Sequence, residues 1–228
     1  DKKMMIVSFL EGKAKKNLTP QDCKLVGVEV AKMHEITKKF KIKRQNDLSI
    51  NSWRKLFNSV KDECSKVHQD LPKLIEANLN DVEKNWPKNL PSGIIHADLF
   101  NDNIFFQNDK LSGFIDFYFS CNDYYAFEIA ICFNALCFDG LQNNLSFNVT
   151  KAKNFIKGYN SIRNLTENEK IGIKILSQGA ALRFLLTRVF DSSHAVHIIN
   201  SFFELRTKLL YLIRTRGDSK FKYNPLLS

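Results

Sequence analysis

The segment of residues 93–117 most constrains how this chain can fold, because its pattern differs from the helical patterns on either side. Two isoleucines lead into a polar loop from His96 to Asn103, and a second apolar run follows it at once. The turn-forming residues Gln-Asn-Asp-Lys come next, and a further apolar run ends at Asp116. Short apolar runs separated by such turns indicate antiparallel strands. The segment therefore predicts a small β insert with polar residues in the loops at its strand ends.

Helical patterns occupy most of the remaining chain. Thr19 before Pro20, with Asp22 in the first turn, predicts a helix that continues to about residue 40. Further helices are predicted after the cap Ser52, over residues 71–86, after the cap Asp123 to about residue 138, over residues 150–163, after the capping box at residues 166–169, and over residues 195–214. Residues 4–9 predict one short buried strand at the start of the chain. The predicted fold class is therefore α+β and mostly α.

Composition indicates a globular protein in a reducing compartment. Hydrophobic residues make up 44% of the chain and aromatic residues 12%, which is not the composition of a disordered chain. No apolar run reaches the roughly 18 to 20 residues that span a bilayer, and the first apolar run stops at Glu11 without a cleavage site, so neither a membrane span nor a signal peptide is expected. The five cysteines include no CxxC pair, which argues against a disulfide framework and a zinc site. Cys132 and Cys137 are predicted to be buried as small apolar residues, and a cytoplasmic location is expected.

The net charge of +10 raises the question of nucleic acid as a partner. Lysines are spread through every predicted helix, and no basic run is interleaved with stacking aromatic residues. The densest basic patch, near the carboxyl terminus, alternates with leucines at helical spacing, which indicates a solvated helix face. No nucleic acid is therefore expected, and the positive charge suits an anionic small-molecule substrate.

The polar residues of the β insert have the spacing that phosphoryl transfer requires. Asp98 precedes Asn103 by five residues, and Asp116 follows Asp98 by eighteen, at the end of another predicted strand. One carboxylate can orient an attacking hydroxyl and accept its proton, while a second carboxylate and an amide oxygen hold Mg²⁺ against the phosphates. The alternative is an apolar hairpin with Asp and Asn in its turns, where those residues are common.

These residues resemble the kinase signature in which H-x-D-x-x-x-x-N precedes an Asp of the D-F-G type. The spacing matches, whereas Ala97 replaces the usual Arg, and Tyr118 stands where protein kinases have Gly. In these departures the chain is similar to the aminoglycoside phosphotransferase-like and choline-kinase-like small-molecule kinases. The resemblance implies a protein-kinase-like carboxyl-terminal lobe in which the small β insert carries the catalytic loop. It also implies that Asp98 is the catalytic base and that His96 braces the loop.

The same resemblance implies the cofactors ATP and Mg²⁺, with Asn103 and Asp116 as the magnesium ligands. Ser8, Phe9, Leu10 and Glu11 resemble the linker between the two lobes, where backbone groups bind adenine. Residues 1–12 are thus expected to be this linker with the end of an amino-terminal lobe, and residues 13–228 the carboxyl-terminal lobe. The rest of the amino-terminal lobe is expected in the full-length protein, because the chain has no glycine-rich phosphate loop.

Two residues outside the loop are expected to be structural in the same family. His34 lies where the helix after the linker usually ends in a histidine. Glu128 stands where these kinases generally have Asp in a D-x-A pattern. Neither residue is expected to take part in the chemistry.

Within this superfamily, residues 111–123 and 130–138 resemble the homoserine kinases, and Ala181-Leu182-Arg183-Phe184 agrees with them. The resemblance implies phosphorylation of the side-chain hydroxyl of L-homoserine in threonine biosynthesis. Such an acceptor needs a cation for its carboxylate and an acceptor for its ammonium. Arg183 and Arg188 diverge on a helix, so at most one of them should line the cleft. Arg183 is expected to be that cation, because it sits among apolar neighbours, where an unpaired charge would be costly. Asn122 and Asp123 could take the ammonium, and the alternative for Asp123 is a plain helix N-cap.

Two other functions stay open at this point. The first is another small-molecule kinase of the same fold, acting on choline, a sugar or an aminoglycoside. Choline would require an aromatic cage, which the aromatic residues near 117–127 could supply, whereas a polycationic aminoglycoside would require more acidic residues than the last helices hold. The second is a non-catalytic fragment, against which the intact Asp98, Asn103 and Asp116 argue.

Overall fold

Helices form most of this computed structural model, which describes residues 7–140 and 145–191. The six helices of the described residues are α1 (Pro20–Thr37), α2 (Ile50–Val67), α3 (Leu71–Asn85), α4 (Tyr125–Leu136), α5 (Val149–Asn160) and α6 (Glu167–Asp191). The strands are β1 (Lys13–Ala14), β2 (Ser92–Ile95), β3 (Ile104–Gln107), β4 (Lys110–Phe114), β5 (Cys121–Tyr124), β6 (Phe138–Asp139) and β7 (Ser146–Phe147). Short 3₁₀ turns occupy Asn101–Asn103 and Phe117–Phe119. The predicted α+β fold, mostly α, is confirmed.

The strands form three small antiparallel sheets, two of which contain the strands of the β insert. Their strand orders are β1-β3-β4, β2-β5 and β6-β7. The β3–β4 hairpin turns through Asn108 and Asp109, both with positive φ, as the turn-forming residues predict. The polar loop from His96 to Asn103 joins the end of β2 to the start of β3, so two different sheets fix its ends.

Helix α4 is the buried centre of the molecule. Every residue of α4 is buried except Ala135, and this is the reason that its sequence is apolar on all sides. The Nδ2 atom of Asn134 donates to the carbonyl oxygen of Ser177 at 2.8 Å, which links α4 to α6. Trp53 packs edge-on against Trp86 with ring centroids 5.3 Å apart, and both rings contact Phe127 of α4.

Helices α1 and α5 approach each other closely because each has a glycine at the crossing. A Cβ atom on Gly27 would lie 2.1 Å from the carbonyl oxygen of Phe155, and one on Gly158 would lie 2.0 Å from that of Lys24. Near the same crossing, His34 is fully buried, and its Nδ1 atom lies 2.8 Å from the hydroxyl of Tyr159. His34 thus lies in the core as predicted, although its Nε2 atom has no hydrogen-bond partner among the described residues.

Several predicted boundaries differ from the observed ones. Helix α1 has the predicted N-cap Thr19, which forms a capping box with Asp22, but the helix ends at Thr37 rather than near residue 40. Helix α2 begins two residues before Ser52, with Ser49 as its N-cap, because the indole Nε1 of Trp53 donates to the Leu48 carbonyl at 2.7 Å and fixes the chain there.

Asp123 is not a helix N-cap but a residue of β5, and Tyr124 is the N-cap of α4. Of the strand predicted at residues 4–9, residues 7–9 are not in a strand and residues 4–6 lie outside the described residues. The helix predicted over residues 195–214 and the basic carboxyl-terminal patch also lie outside them.

The predictions drawn from composition agree with the structure where it can be compared. Cys132 and Cys137 are buried, as predicted, and the other three cysteines are buried as well. All five are free thiols. None of the helices in residues 7–140 and 145–191 is long and apolar enough to cross a membrane.

Candidate active site

His96 holds the loop between β2 and β3 in place. Its side chain is fully buried directly after β2, and Nε2 lies 2.8 Å from the carbonyl oxygen of Ile115. Its Nδ1 lies 3.3 Å from the backbone N–H of Asp98. Since a carbonyl can only accept and an N–H can only donate, these partners select the tautomer with the proton on Nε2. The ring therefore ties Asp98 to the strand that leads to Asp116.

The backbone of Ala97 is held in a left-handed conformation from two sides. Its φ is +66°, a region that residues other than glycine rarely adopt. The carboxylate of Glu128 accepts hydrogen bonds from the N–H of Ala97 at 3.0 Å and from the N–H of His96. The Nη1 of Arg183 donates to the Ala97 carbonyl at 2.6 Å. These bonds stabilise the turn that presents Asp98, and Glu128 has the structural role predicted for it.

Asn103 and Asp116 lie beside each other at the ends of adjacent strands. The N–H of Ile115 donates to the carbonyl of Asn103 at 3.0 Å, which brings the next residue, Asp116, to the loop. The Nδ2 of Asn103 donates to the backbone carbonyl of Asp98 at 2.8 Å, and this leaves the amide oxygen as the atom available to a cation. Asp116 has a φ of +60° where the chain leaves β4 and enters the next turn.

The surroundings of Asp98 shift its pKa. Burial raises the pKa of the Asp98 carboxyl above its ordinary value, and the carboxylates of Asp116 and Asp102 act in the same direction. The positive charge of Arg183 opposes this rise. A carboxylate with a raised pKa and a nearby cation is a typical general base.

Asp98 opens onto a cleft of about 510 Å³. Its other lining residues come from the loop before α2, from α2, the catalytic loop, the turn after Asp116 and the last turns of α6, and they are Leu48, Leu56, Phe100, Asp102, Phe119, Arg183, Phe184, Thr187, Arg188, Phe190 and Asp191. Both Arg183 and Arg188 are among them, so the prediction that at most one arginine lines the cleft is wrong. An arginine side chain is long enough to reach the cleft even when its backbone position faces another side of the helix. The spacing of the two residues along the helix therefore does not decide which of them lines the cleft.

Asn122 and Asp123 are not among the residues that line this cleft. The Oδ1 of Asn122 accepts from the N–H of Arg44 at 2.9 Å, which attaches the segment before α2 to β5. Asp123 accepts from the Nδ2 of Asn46 at 2.6 Å and from the N–H of Tyr124 at 2.7 Å, and burial raises its pKa. It lines a separate cleft of about 590 Å³ beside Trp53.

The predicted linker, Ser8 to Glu11, lies against the outer side of the β1-β3-β4 sheet. The Glu11 carboxylate accepts from Nε2 of Gln107 at 2.7 Å, and a Cβ on Gly113 of β4 would contact Leu10 at 3.3 Å. Phe9 is 90% exposed and Ser8 is also exposed. Leu10 and Glu11 therefore contact the sheet that includes the hairpin between Asn103 and Asp116.

The structure adds residues to the site that the sequence did not predict. Arg188 follows Phe184 by four residues, which is the spacing of one helix face, and this signal could have identified it. Phe100 packs edge-on against Phe184 with ring centroids 4.7 Å apart and so joins the loop to α6. The guanidinium of Arg44 donates to the carbonyl of Tyr118. The two residues are far apart in the sequence, so no local pattern predicts this contact.

Comparisons with known proteins agree with this geometry. Homoserine kinase of Mesorhizobium japonicum is 46% identical over 187 residues, which are 82% of this chain and 58% of that protein. Homoserine kinase of Sinorhizobium fredii is 45% identical over 186 residues, or 82% of this chain and 56% of that protein. The chain thus spans a little over half the length of these curated relatives.

Solved structures share the fold. A Plasmodium vivax ethanolamine kinase has a TM-score of 0.64 at 21% identity, over 90% of this chain and 63% of that one. An amicoumacin kinase has a TM-score of 0.67 at 13% identity, over 96% of this chain and 66% of that one. At these identities the likeness concerns the fold alone.

The model of the phosphotransferase enzyme family matches residues 2–148, which is more than half of the chain. That match includes the whole loop from His96 to Asn103 and continues through Asp116. The chain therefore belongs to the phosphotransferase enzyme family.

Proposed function

We propose that the protein is an ATP-dependent homoserine kinase, which phosphorylates the side-chain hydroxyl of L-homoserine in threonine biosynthesis. The observation that carries the proposal is the position of Asp98, a half-buried carboxylate at a cleft of about 510 Å³. The side chain of Asn103 is bonded to the backbone carbonyl of Asp98, and Asp116 lies near enough to influence the pKa of Asp98. Relatives named homoserine kinase at 45–46% identity support the choice of acceptor. We further propose that the enzyme acts in the cytoplasm, without nucleic acid or membrane as a partner.

Asp98 is the proposed catalytic base. Its carboxylate accepts the proton of the acceptor hydroxyl as that oxygen attacks the γ-phosphorus of ATP and the bond to the leaving ADP oxygen breaks. The loop that presents Asp98 is held by His96, Glu128 and Arg183, so the carboxylate is oriented before the acceptor arrives. Such positioning is a large part of catalysis in phosphoryl transfer, where the protein forms no covalent bond.

Asn103 and Asp116 are the proposed ligands of Mg²⁺. An amide oxygen and a carboxylate are hard oxygen donors, and Mg²⁺ commonly binds one or two such protein groups and completes its shell with phosphates and water. When bound, the ion neutralises charge on the phosphates.

The adenine of ATP is proposed to bind at the linker residues Ser8, Phe9, Leu10 and Glu11. The contacts of Leu10 and Glu11 with the sheet that includes the β3–β4 hairpin support this, because the hairpin joins the two proposed metal ligands. We propose residues 1–12 as linker and lobe end and residues 13–228 as the carboxyl-terminal lobe, with the rest of the nucleotide site in an amino-terminal lobe.

ADP release with a panel of acceptors tests this function. The protein that joins this chain to its amino-terminal lobe is incubated with ATP, Mg²⁺ and one acceptor at a time: L-homoserine, choline, a sugar or an aminoglycoside. We expect release with L-homoserine alone and its loss when the metal is chelated. Turnover with another acceptor and none with L-homoserine would identify a different small-molecule kinase. If none of the acceptors supports turnover, the non-catalytic alternative is favoured.

A further inference from the structure

Two arginines of α6 line the cleft beside Asp98, and their surroundings differ. Arg183 is only 2% exposed, its Nη1 is bonded to the Ala97 carbonyl, and its guanidinium lies 4.5 Å from the ring centre of Phe184. Arg188 is half-buried, and within residues 7–140 and 145–191 no hydrogen bond or ion pair engages it. The Nη1 of Arg183 is thus engaged by the loop that presents Asp98, and its Nε is buried without a partner among the described residues. The whole guanidinium of Arg188, by contrast, is available to a ligand.

The geometry of α6 directs Arg188 to the mouth of the same cleft. Phe184, Arg188 and Asp191 are spaced by four and three residues and therefore share one helix face. That face packs on the catalytic loop through Phe184 and Phe100. Arg188 follows Arg183, the arginine near Asp98, by five residues. Five residues of α-helix rise about 7.5 Å, so Arg188 lies roughly one and a half turns further along α6. The distance suits a ligand whose reacting hydroxyl and anionic group are separated by a few carbon atoms.

We propose that Arg188 binds the carboxylate of the acceptor and thereby selects an amino acid over a neutral alcohol. The inference rests on the proposed homoserine kinase function. A guanidinium pairs with a carboxylate through two parallel hydrogen bonds, which no neutral acceptor can reproduce. Asp102 and Asp191 also line the cleft, and neither forms an ion pair among the described residues. We expect these two carboxylates to bind the ammonium group of the acceptor. Arg183 acts instead as a positioning residue for Asp98.

Steady-state kinetics with paired acceptors test this assignment. The full protein is assayed with L-homoserine and with L-homoserine amide, whose carboxylate is replaced by a neutral group of similar shape. In Arg188→Gln we expect KM for L-homoserine to rise about 10- to 100-fold, the range for a lost hydrogen bond between charged groups. KM for ATP and for the amide should change little, so the preference for the acid over the amide should fall by the same factor.

Two further variants make the result decisive. Arg188→Lys keeps the charge but not the forked geometry, and we expect an intermediate KM for L-homoserine. Lys170→Gln removes a positive charge from the exposed start of the same helix, where Lys170 pairs with Glu167, and should leave both acceptors unaffected.

An unchanged preference for the acid in Arg188→Gln, or a rise in KM for ATP instead, would overturn the assignment while leaving the homoserine kinase function intact. If the unsubstituted protein does not use L-homoserine, the proposed function and this inference fail together.

Discussion

At the scale of single residues, Arg183 and Arg188 are expected to affect different kinetic properties. The proposed base Asp98 can accept a proton only when its carboxylate is ionised. Burial raises the pKa of Asp98, and the positive charge of Arg183 opposes that rise. Arg183→Met should therefore raise the pKa of Asp98 further and move the acid limb of the kcat/KM profile to higher pH. Arg188→Met should leave the acid limb of the kcat/KM profile at the same pH, since Arg188 is not among the charges that shift the pKa of Asp98. An acid limb that Arg183→Met does not move would show that Asp98 is not the group that titrates.

His34 is expected to make the stability of the fold depend on pH. Burial, with the nearby positive charge of Arg163, lowers the pKa of His34 to about 3. A lowered pKa means that the unfolded chain, with an ordinary pKa of about 6.5, binds the proton first, so stability is full above that pH and falls as the pH drops toward 3.

We expect the free energy of unfolding to fall by about 2 kcal/mol between pH 7 and pH 5 through this residue alone. The measurement is urea unfolding at the two pH values, with His34→Gln as the control that lacks the titrating ring. Equal pH dependence in both proteins would contradict the assignment.

At the scale of elements, the crossing of α1 and α5 depends on its two glycines. A methyl group on Gly27 or Gly158 would lie about 2 Å from a carbonyl oxygen of the other helix. Because backbone cannot move aside as a side chain can, we expect Gly27→Ala and Gly158→Ala each to lower the free energy of unfolding by about 3 kcal/mol.

Gly172 of α6 is the matched control, since a methyl group there would be no nearer than 3.5 Å to its neighbours. Gly172→Ala should be neutral or stabilising by up to about 1 kcal/mol, because alanine favours helix. Urea unfolding compares the three variants, and similar effects at all three positions would argue against the close crossing.

The sequence predicted those elements whose signals are local. The N-cap of α1 at Thr19, the hairpin turn at residues 107–110 and the loop around Asp98 all depend on neighbours within a few positions. Strand β5 was missed because its partner β2 lies nearly thirty residues earlier in the chain, and a short strand formed by distant pairing leaves little local signal. Asp123 consequently resembled a helix cap.

The roles of the two arginines could not be predicted for a related reason. The sequence indicated that a buried arginine needs a hydrogen-bond partner. The partner of Arg183 is the backbone carbonyl of Ala97. The pattern of side chains does not show which backbone carbonyls need a donor from elsewhere in the chain. The left-handed conformation of Ala97 was equally hidden, because alanine does not indicate it as glycine would.

At the scale of the whole molecule, the proposed division into lobes predicts weak nucleotide binding by this chain alone. Part of the nucleotide site is proposed to lie in the amino-terminal lobe, so residues 1–228 should bind ATP far more weakly than the protein that includes that lobe. Isothermal titration calorimetry on both proteins, with Mg²⁺ present, provides the comparison. Tight, stoichiometric binding by residues 1–228 would contradict the division.

Asp98 provides the most direct test of the whole account. Asp98→Asn removes the proton acceptor but keeps the size and polarity of the side chain, so the fold and its thermal midpoint should be nearly unchanged. The measurement is kcat for ADP release with L-homoserine, ATP and Mg²⁺ on the protein that includes the amino-terminal lobe. We predict a fall of about 10²- to 10⁴-fold, the range for a lost general base. A folded Asp98→Asn protein that retains the kcat of the unsubstituted enzyme would contradict the account.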